Sequence, residues 1–380
     1  MHGTRSFFNG LQQEAKVRVE YTSPYASLQL RLPLFNAEAW ARLDQAHAIA
    51  DQAEQLHRAR GLDLVDRVGT AYLQVLLSSE ALTLAEQERT AAEGQLKRAG
   101  ERFKRGEGTR SEEALAQSHF DVTRVKVFES QNQLDIAKRA LQRLTGRPTA
   151  ELNRISPDFV PEETAVGGLV EWLETAVRNS PMIQAKQQAR LAAQMNVKRQ
   201  SAGHLPRVDL VASIARSENE SLSNLGQTSV LKSLGVQVNV PLYAGGGVVA
   251  GVRQAVAEQS RAEEEIRNER ENVETEVQRN YLLVSNGAAR VQAYRRAAES
   301  SQVAYTGAIR SQEAGLGTTA DVLDAQVRLF IARRDLAVAR YDYLAGRLRL
   351  KAHAGVPLDE VTRDIDQLLP VPVTTASKQP

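Results

Sequence analysis

This chain of 380 residues contains no cysteine, which excludes disulfides and thiolate metal sites. Aromatic residues are only 5% although hydrophobic residues reach 42%, so the apolar content is mostly Ala, Leu and Val. Such a composition suits long packed helices rather than a bulky globular core. No stretch approaches the ~20 apolar residues of a membrane-spanning helix. A chain of this kind enters a membrane only as closed β-structure. With a formal net charge of +2 and no long Lys/Arg run, nothing invites nucleic acid. Met1-His2-Gly3-Thr4-Arg5 leads into no apolar segment of a secretory leader. Catalytic signatures are missing too. His2, His47, His57, His119, His204 and His353 form no i, i+4 pair and no HExxH, so they read as isolated surface or packing residues. Nothing resembles a nucleophile elbow. The expectation is no enzyme, no metal and no cofactor.

What is present is a duplication. Gly106-x-Gly108-Thr109 recurs as Gly315-x-Gly317-Thr318, and Ala71-Tyr72-Leu73 as Asn280-Tyr281-Leu282. Leu141 matches Leu350, Gly146-x-Pro148 matches Gly355-x-Pro357, and Pro33-Leu34-Phe35 matches Pro241-Leu242-Tyr243 after a gap. Each copy reads as an alternating strand, a turn, a very long helix, a Gly break and a returning helix. Neither copy can bury its apolar stripe alone, which makes the pattern a plan for a tube. The organisation expected is a first repeat over 1–148, a connector over 149–168, a second repeat over 169–357 and a tail over 358–380.

Three segments alternate with a period of two: 26–34, 208–216 and 234–242. A fourth, near 4–8, is short and weak. The polar stretches 9–24 and 217–228 read as loops. Long helices are expected over roughly 38–104 and 252–314, with returning helices over 111–145 and 320–354. The spacing of Val273, Val277, Tyr281, Val284, Ala288 and Val291 is that of a coiled-coil stripe. At 1.5 Å per residue, more than sixty residues reach on the order of 100 Å. An amphipathic helix over 169–201 opens the second copy and has no counterpart in the first. The first unit is therefore expected to lack its opening helix and whatever preceded it. Four strands with one apolar face cannot close a barrel alone; three chains would supply twelve.

Tyr243-Ala244-Gly245-Gly246-Gly247 sits where a phosphate loop would. It lacks both the GxGxxG spacing and a Gly-Lys-Ser/Thr, and reads as a strand-to-helix turn. Asp321 and Asp324, three residues apart, share one helix face at the tip of the second hairpin. Thr318-x-x-Asp321 is close to a capping box, repeated as Thr109-x-x-Glu112. Asp324 lies too far along to cap, and its sister position is Leu115. In a rotational oligomer each Asp becomes a ring of like charges, able to select or block cations.

With these residues set out, the chain resembles the TolC family of outer-membrane channels of Gram-negative bacteria. The likeness rests on the joints Leu30-Arg31-Leu32-Pro33-Leu34-Phe35 and Val238-Asn239-Val240-Pro241-Leu242-Tyr243. It rests also on Gly315-x-x-Thr318-x-x-Asp321-Val322-Leu323-Asp324-Ala325-Gln326 and on Tyr341-x-Tyr343-Leu344 through Gly355. The resemblance implies a mainly α protein with a small β part: a homotrimer with a twelve-strand outer-membrane barrel continued by an α-helical tunnel through the periplasm. It implies export with a periplasmic adaptor and an inner-membrane ABC-type or proton-driven transporter, more in the manner of type I protein secretion than of multidrug efflux. Asp321 and Asp324 match the family's constriction aspartates. An Arg that helps to lock this turn in the family is replaced here by Gly317. The rival from another class is a soluble coiled-coil scaffold or adaptor.

Overall fold

A computed structural model describes residues 2–8, 14–20, 24–148, 152–153, 155, 159, 161, 167–221, 224–357 and 359–363. The expected tail beyond 363 and most of the connector lie outside the described residues. In chain order the elements are β1 (His2–Phe8), β2 (Glu14–Glu20), β3 (Tyr25–Phe35), α1 (Ala37–Lys104), α2 (Arg110–Thr145), α3 (Leu169–Asn179) and α4 (Pro181–Ser201). After a short 3-10 turn come β4 (Arg207–Ser221), β5 (Asn224–Asn239), α5 (Gly247–Glu313) and α6 (Thr319–His353). Two compact units result, one of residues 1–52 and 187–265, the other of 53–186 and 266–380.

The first unit holds both sheets. β3, β4 and β5 form an antiparallel sheet in that order, and β1 pairs with β2 apart from it. β3 thus finds its partner in β4, a strand of the other repeat. Two expected loops prove to be strand. Residues 14–20 form β2, whose alternation of Val17 and Val19 with Lys16 and Arg18 is hidden among charges. Residues 217–221 and 224–228 extend β4 and β5, with Glu218 opposite Thr228 and Ser221 opposite Asn224. Ser and Thr are competent strand residues, and the ladder needs only their backbone; Ser217 and Ser229 also share a hydroxyl bond of 2.7 Å. β5 ends at Asn239, short of the expected 242, because Pro241 has no N–H for a ladder.

The second unit is helical. Its core joins Leu73, Leu76, Ile183, Val277, Val284, Tyr343, Leu344 and Leu350, drawn from α1, α4, α5 and α6. A smaller cluster of Val75, Leu134, Ala137 and Leu141 seals α1 against α2. Small residues set the spacing. A Cβ on Gly287 of α5 would stand 2.9 Å from the Tyr343 ring, and one on Gly346 of α6 would stand 3.3 Å from Val284. The expected helix over 169–201 is broken in two. Ser180 is extended at ψ 116 because it precedes Pro181, and proline disfavours helical geometry in the residue before it. Pro181 then opens α4 at a position that needs no N–H donor. The repeat-matched tyrosines do matched work. Tyr72 donates to the Asn153 carbonyl at 2.8 Å and Tyr281 to the Gly167 carbonyl at 3.1 Å, fastening the two ends of the connector.

Both hairpin tips turn by the same means. Gly106 and Gly315 adopt φ of +76 and +75, where side chains are rarely tolerated. Gly108 and Gly317 are ordinary in φ but tightly packed: a Cβ on Gly317 would lie 3.3 Å from the Gln312 nitrogen. Thr109 and Thr318 then cap α2 and α6, each in a reciprocal box with Glu112 and Asp321. The Thr109 backbone N–H, bonded to the carboxylate, holds Glu112 below its ordinary value of 4.5. The carboxylate form is therefore the stabilising one. Its contribution is complete above 4.5 and is lost as the pH falls through the lower value of the folded state.

Two outcomes are expected. Gly355, at φ +69 with the Asn179 carbonyl 2.6 Å from where a Cβ would stand, has no room for alanine. Gly355→Ala should cost on the order of 2 kcal/mol in denaturant unfolding, and an unchanged midpoint would refute the packing. Thr109→Ala should cost about 1 kcal/mol at the α2 terminus. Hydrogen exchange at residues 110–113 should then be fast even above pH 4.5, with a weaker acid step than in the parent; unchanged exchange would remove the cap.

Candidate functional site

The tip of the second unit is where the sequence places its candidates. Asp321 spends its carboxylate on the cap: Oδ2 accepts from the Thr318 N–H at 2.9 Å and from the Thr318 hydroxyl at 2.7 Å. The backbone bond, then the hydroxyl bond, holds its acid below the usual carboxylate range. Asp324, one turn on, is exposed and has no hydrogen-bond or ion-pair partner among the described residues. The two acids, expected as a pair, are thus unequal. One is committed to the helix end and the other is free to act on solvent. Among the described residues, no group of three His, Asp or Glu side chains is placed to hold a metal.

The sequence missed what joins the two hairpins. Glu112 of the first tip reaches past its own cap and accepts from the Thr319 hydroxyl of the second at 3.3 Å; Gln312 donates to that hydroxyl at 3.0 Å. Asp321, the sister of Glu112, makes no such reach, being one methylene shorter. Deeper, Gln326 of α6 is wholly buried. Its amide nitrogen stands 3.4 Å from the Glu88 carbonyl of α1 and 3.4 Å from His119 Nε2 of α2. Glu88 is itself buried and accepts from Lys126 Nζ at 2.7 Å. The available signal was polar residues, Glu88, Gln95 and Gln326, recurring on otherwise apolar helix faces.

In the first unit the two expected joints differ. At the first, the pairing register slips between Pro33 and Phe35, and after the single residue Asn36 the chain enters α1, with Asn36 Oδ1 accepting from the Ala39 N–H at 3.0 Å. Beyond Pro241 the backbone leaves the sheet and turns through Gly245 and Gly246, at φ 58 and 80, into α5. The glycine run is the strand-to-helix turn expected of it. The sheet has two unlike faces. Leu28, Leu30, Leu32, Ile214, Leu234, Val236 and Val238 stand exposed on one. The other carries Gln29, Ser213, Ser233, Gln237 and a buried Asp209 bridged to Arg31 and Arg207. Among the described residues no helix is long and apolar enough to cross a membrane. The apolar face of the sheet is the surface fit for hydrocarbon.

Comparison with known proteins agrees with this geometry. The family model described as outer membrane efflux protein matches residues 10–147 and 172–356. The proteases secretion protein PrtF of Dickeya chrysanthemi is 32% identical over 339 residues, covering 88% of this chain and 73% of the relative. The alkaline protease secretion protein AprF of Pseudomonas aeruginosa is 29% identical over 348 residues, covering 91% and 72%. The crystal structure of the outer membrane protein VceC from Vibrio cholerae superposes with a TM-score of 0.76 at 17% identity, covering 93% of this chain and 85% of that one, a likeness of fold. An open sheet with a lipid-fit face and long helical hairpins find one explanation: the chain belongs to the outer membrane efflux protein family, channel proteins of the outer membrane and not enzymes.

Proposed function

We propose that this chain is the outer-membrane exit duct of a type I protein secretion system. The observation that carries the reading is its likeness, along most of its length, to two proteins named for protease secretion. In this reading three copies assemble. The open outer edges of β3 and β5 pair with strands of neighbouring copies, since an unpaired edge inside hydrocarbon costs several kcal/mol per backbone group. α2 supports association between copies: Leu115, Val122, Val125 and Ile136 stand exposed along one side of it. A second copy is the natural cover for that stripe. The assembled duct is passive. It moves cargo when a periplasmic adaptor couples it to an energised inner-membrane ABC-type transporter, and it is gated where the hairpin tips part.

In a trimer Asp324 repeats as a ring of three free carboxylates at the tip, and Asp321 as a ring already engaged in capping. The family's tip arginine has no place here, because Gly317 is packed against Gln312 and Ser311. Closure in this reading rests on contacts between the hairpins such as Glu112 with Thr319.

Two tests follow. Deleting the gene should trap the cognate protease-like cargo inside the cell while drug susceptibility stays level; loss of drug tolerance with normal secretion would favour the multidrug efflux duct. A polypeptide that fractionates as a soluble monomer would favour the scaffold instead. In planar bilayers, Asp324→Ala should abolish block by multivalent cations far more than Asp321→Ala does. Equal and unaltered block in both variants would defeat the ring.

A further inference from the structure

His119 lies half-buried on α2 where that helix meets α1 and α6. The Gln326 amide carries two protons and faces two acceptors, the Glu88 carbonyl and His119 Nε2, each at 3.4 Å. With the amide so placed, its nitrogen is matched by a neutral ring with the proton on Nδ1 and the Nε2 lone pair toward Gln326, while Gln326 Oε1 is left without a partner. A proton on Nε2 would set donor against donor. Turning the amide over would set its oxygen against the Glu88 carbonyl, acceptor against acceptor. Gln326, wholly enclosed, has no water with which to resolve the conflict.

The charges acting on the ring come from two elements. The Glu88 carboxylate of α1 favours the imidazolium, and the Lys126 ammonium of α2 disfavours it; α6 presents the neutral amide of Gln326. Burial outweighs both and holds the ring below its ordinary value of 6.5. A base whose folded value is depressed stabilises the packing fully above 6.5, and that contribution declines as the pH falls toward the folded value. Glu112 and Asp321, the tip caps, titrate in a lower range and leave this window to the imidazole. The half-buried ring is itself reached by solvent, and a cavity of 320 Å³ lined in part by Glu88, Lys126, Val327 and Phe330 lies on the Glu88 side of the cluster.

We propose that His119 is a proton-sensitive catch: protonation of its ring releases α2 from Gln326 of α6, while the Lys126–Glu88 pair keeps α2 on α1, so that mild acid eases the parting of the hairpin tips. The functional half of this statement rests on the gated-duct reading above. The structural half does not, and the two are separable. Because the chain has no cysteine, spin labels on Ser118→Cys and Arg328→Cys, both exposed, report the spacing of α2 and α6 in the assembled full chain. Between about pH 7.5 and about pH 5 the distance should lengthen in the His119 parent. It should stay fixed in His119→Gln, which keeps an acceptor without a titrating proton, and be long throughout in His119→Arg. Single-channel conductance should rise several-fold over the same range in the parent only. His119→Asn serves if His119→Gln fails to assemble. A pH-dependent distance confined to the parent with constant conductance would keep the catch and remove the gate. A distance that ignores pH in the parent, or follows it equally in His119→Gln, would overturn the catch.

Discussion

The constraint on which the rest depends is the state of the backbone at the two outer edges of the β3–β4–β5 sheet. Side chains on one face of that sheet, Leu30, Leu32, Leu234 and Val236 among them, are fit for hydrocarbon, and hydrocarbon offers no hydrogen bonds. A sheet so clothed must therefore be closed, and three strands cannot close on themselves. In the proposed assembly, strands from other copies satisfy those edges, and membrane residence follows from that closure. The helices obey the opposite rule. Their backbone is satisfied internally, so their packing is free to be thin, built from Ala and Gly, with polar residues tolerated inside it.

Much of the fold was legible because its periods are clean. The long helices were readable to within a few residues from their apolar spacing, and the three Leu/Val-alternating strands from theirs. The missed strand residues share one cause. Segments 14–20, 217–221 and 224–228 pair through backbone; the short Val17/Val19 alternation of the first is hidden among charges, and the polar residues of the others carry no hydrophobic period to announce it. The break at Ser180 was legible in Pro181, but a helical stripe running through both halves concealed it.

The site was legible only as far as local sequence reaches. Capping boxes are four-residue facts, and Thr109 with Glu112 and Thr318 with Asp321 are found where spacing put them. Contacts between hairpins are facts about register over some two hundred residues. The repeat made the two tips look interchangeable, whereas Glu112 bridges and Asp321 does not, and His119 is drawn inward while its repeat counterpart Arg328 faces solvent. Duplication supplied two similar hairpins, and divergence gave them unlike neighbours.

The serine rungs on the polar face of the sheet have a consequence for traffic. Ser213 with Ser233, and Ser217 with Ser229, meet oxygen to oxygen at 2.7 Å, so each hydroxyl pair is already engaged across the strands. In the proposed duct an extended polypeptide passing this face meets wettable ground, where each pair spends one of its two hydroxyl protons across the strands. Half of those hydroxyl donors are thereby held from the passenger, which finds fewer grips than a row of unengaged hydroxyls would offer.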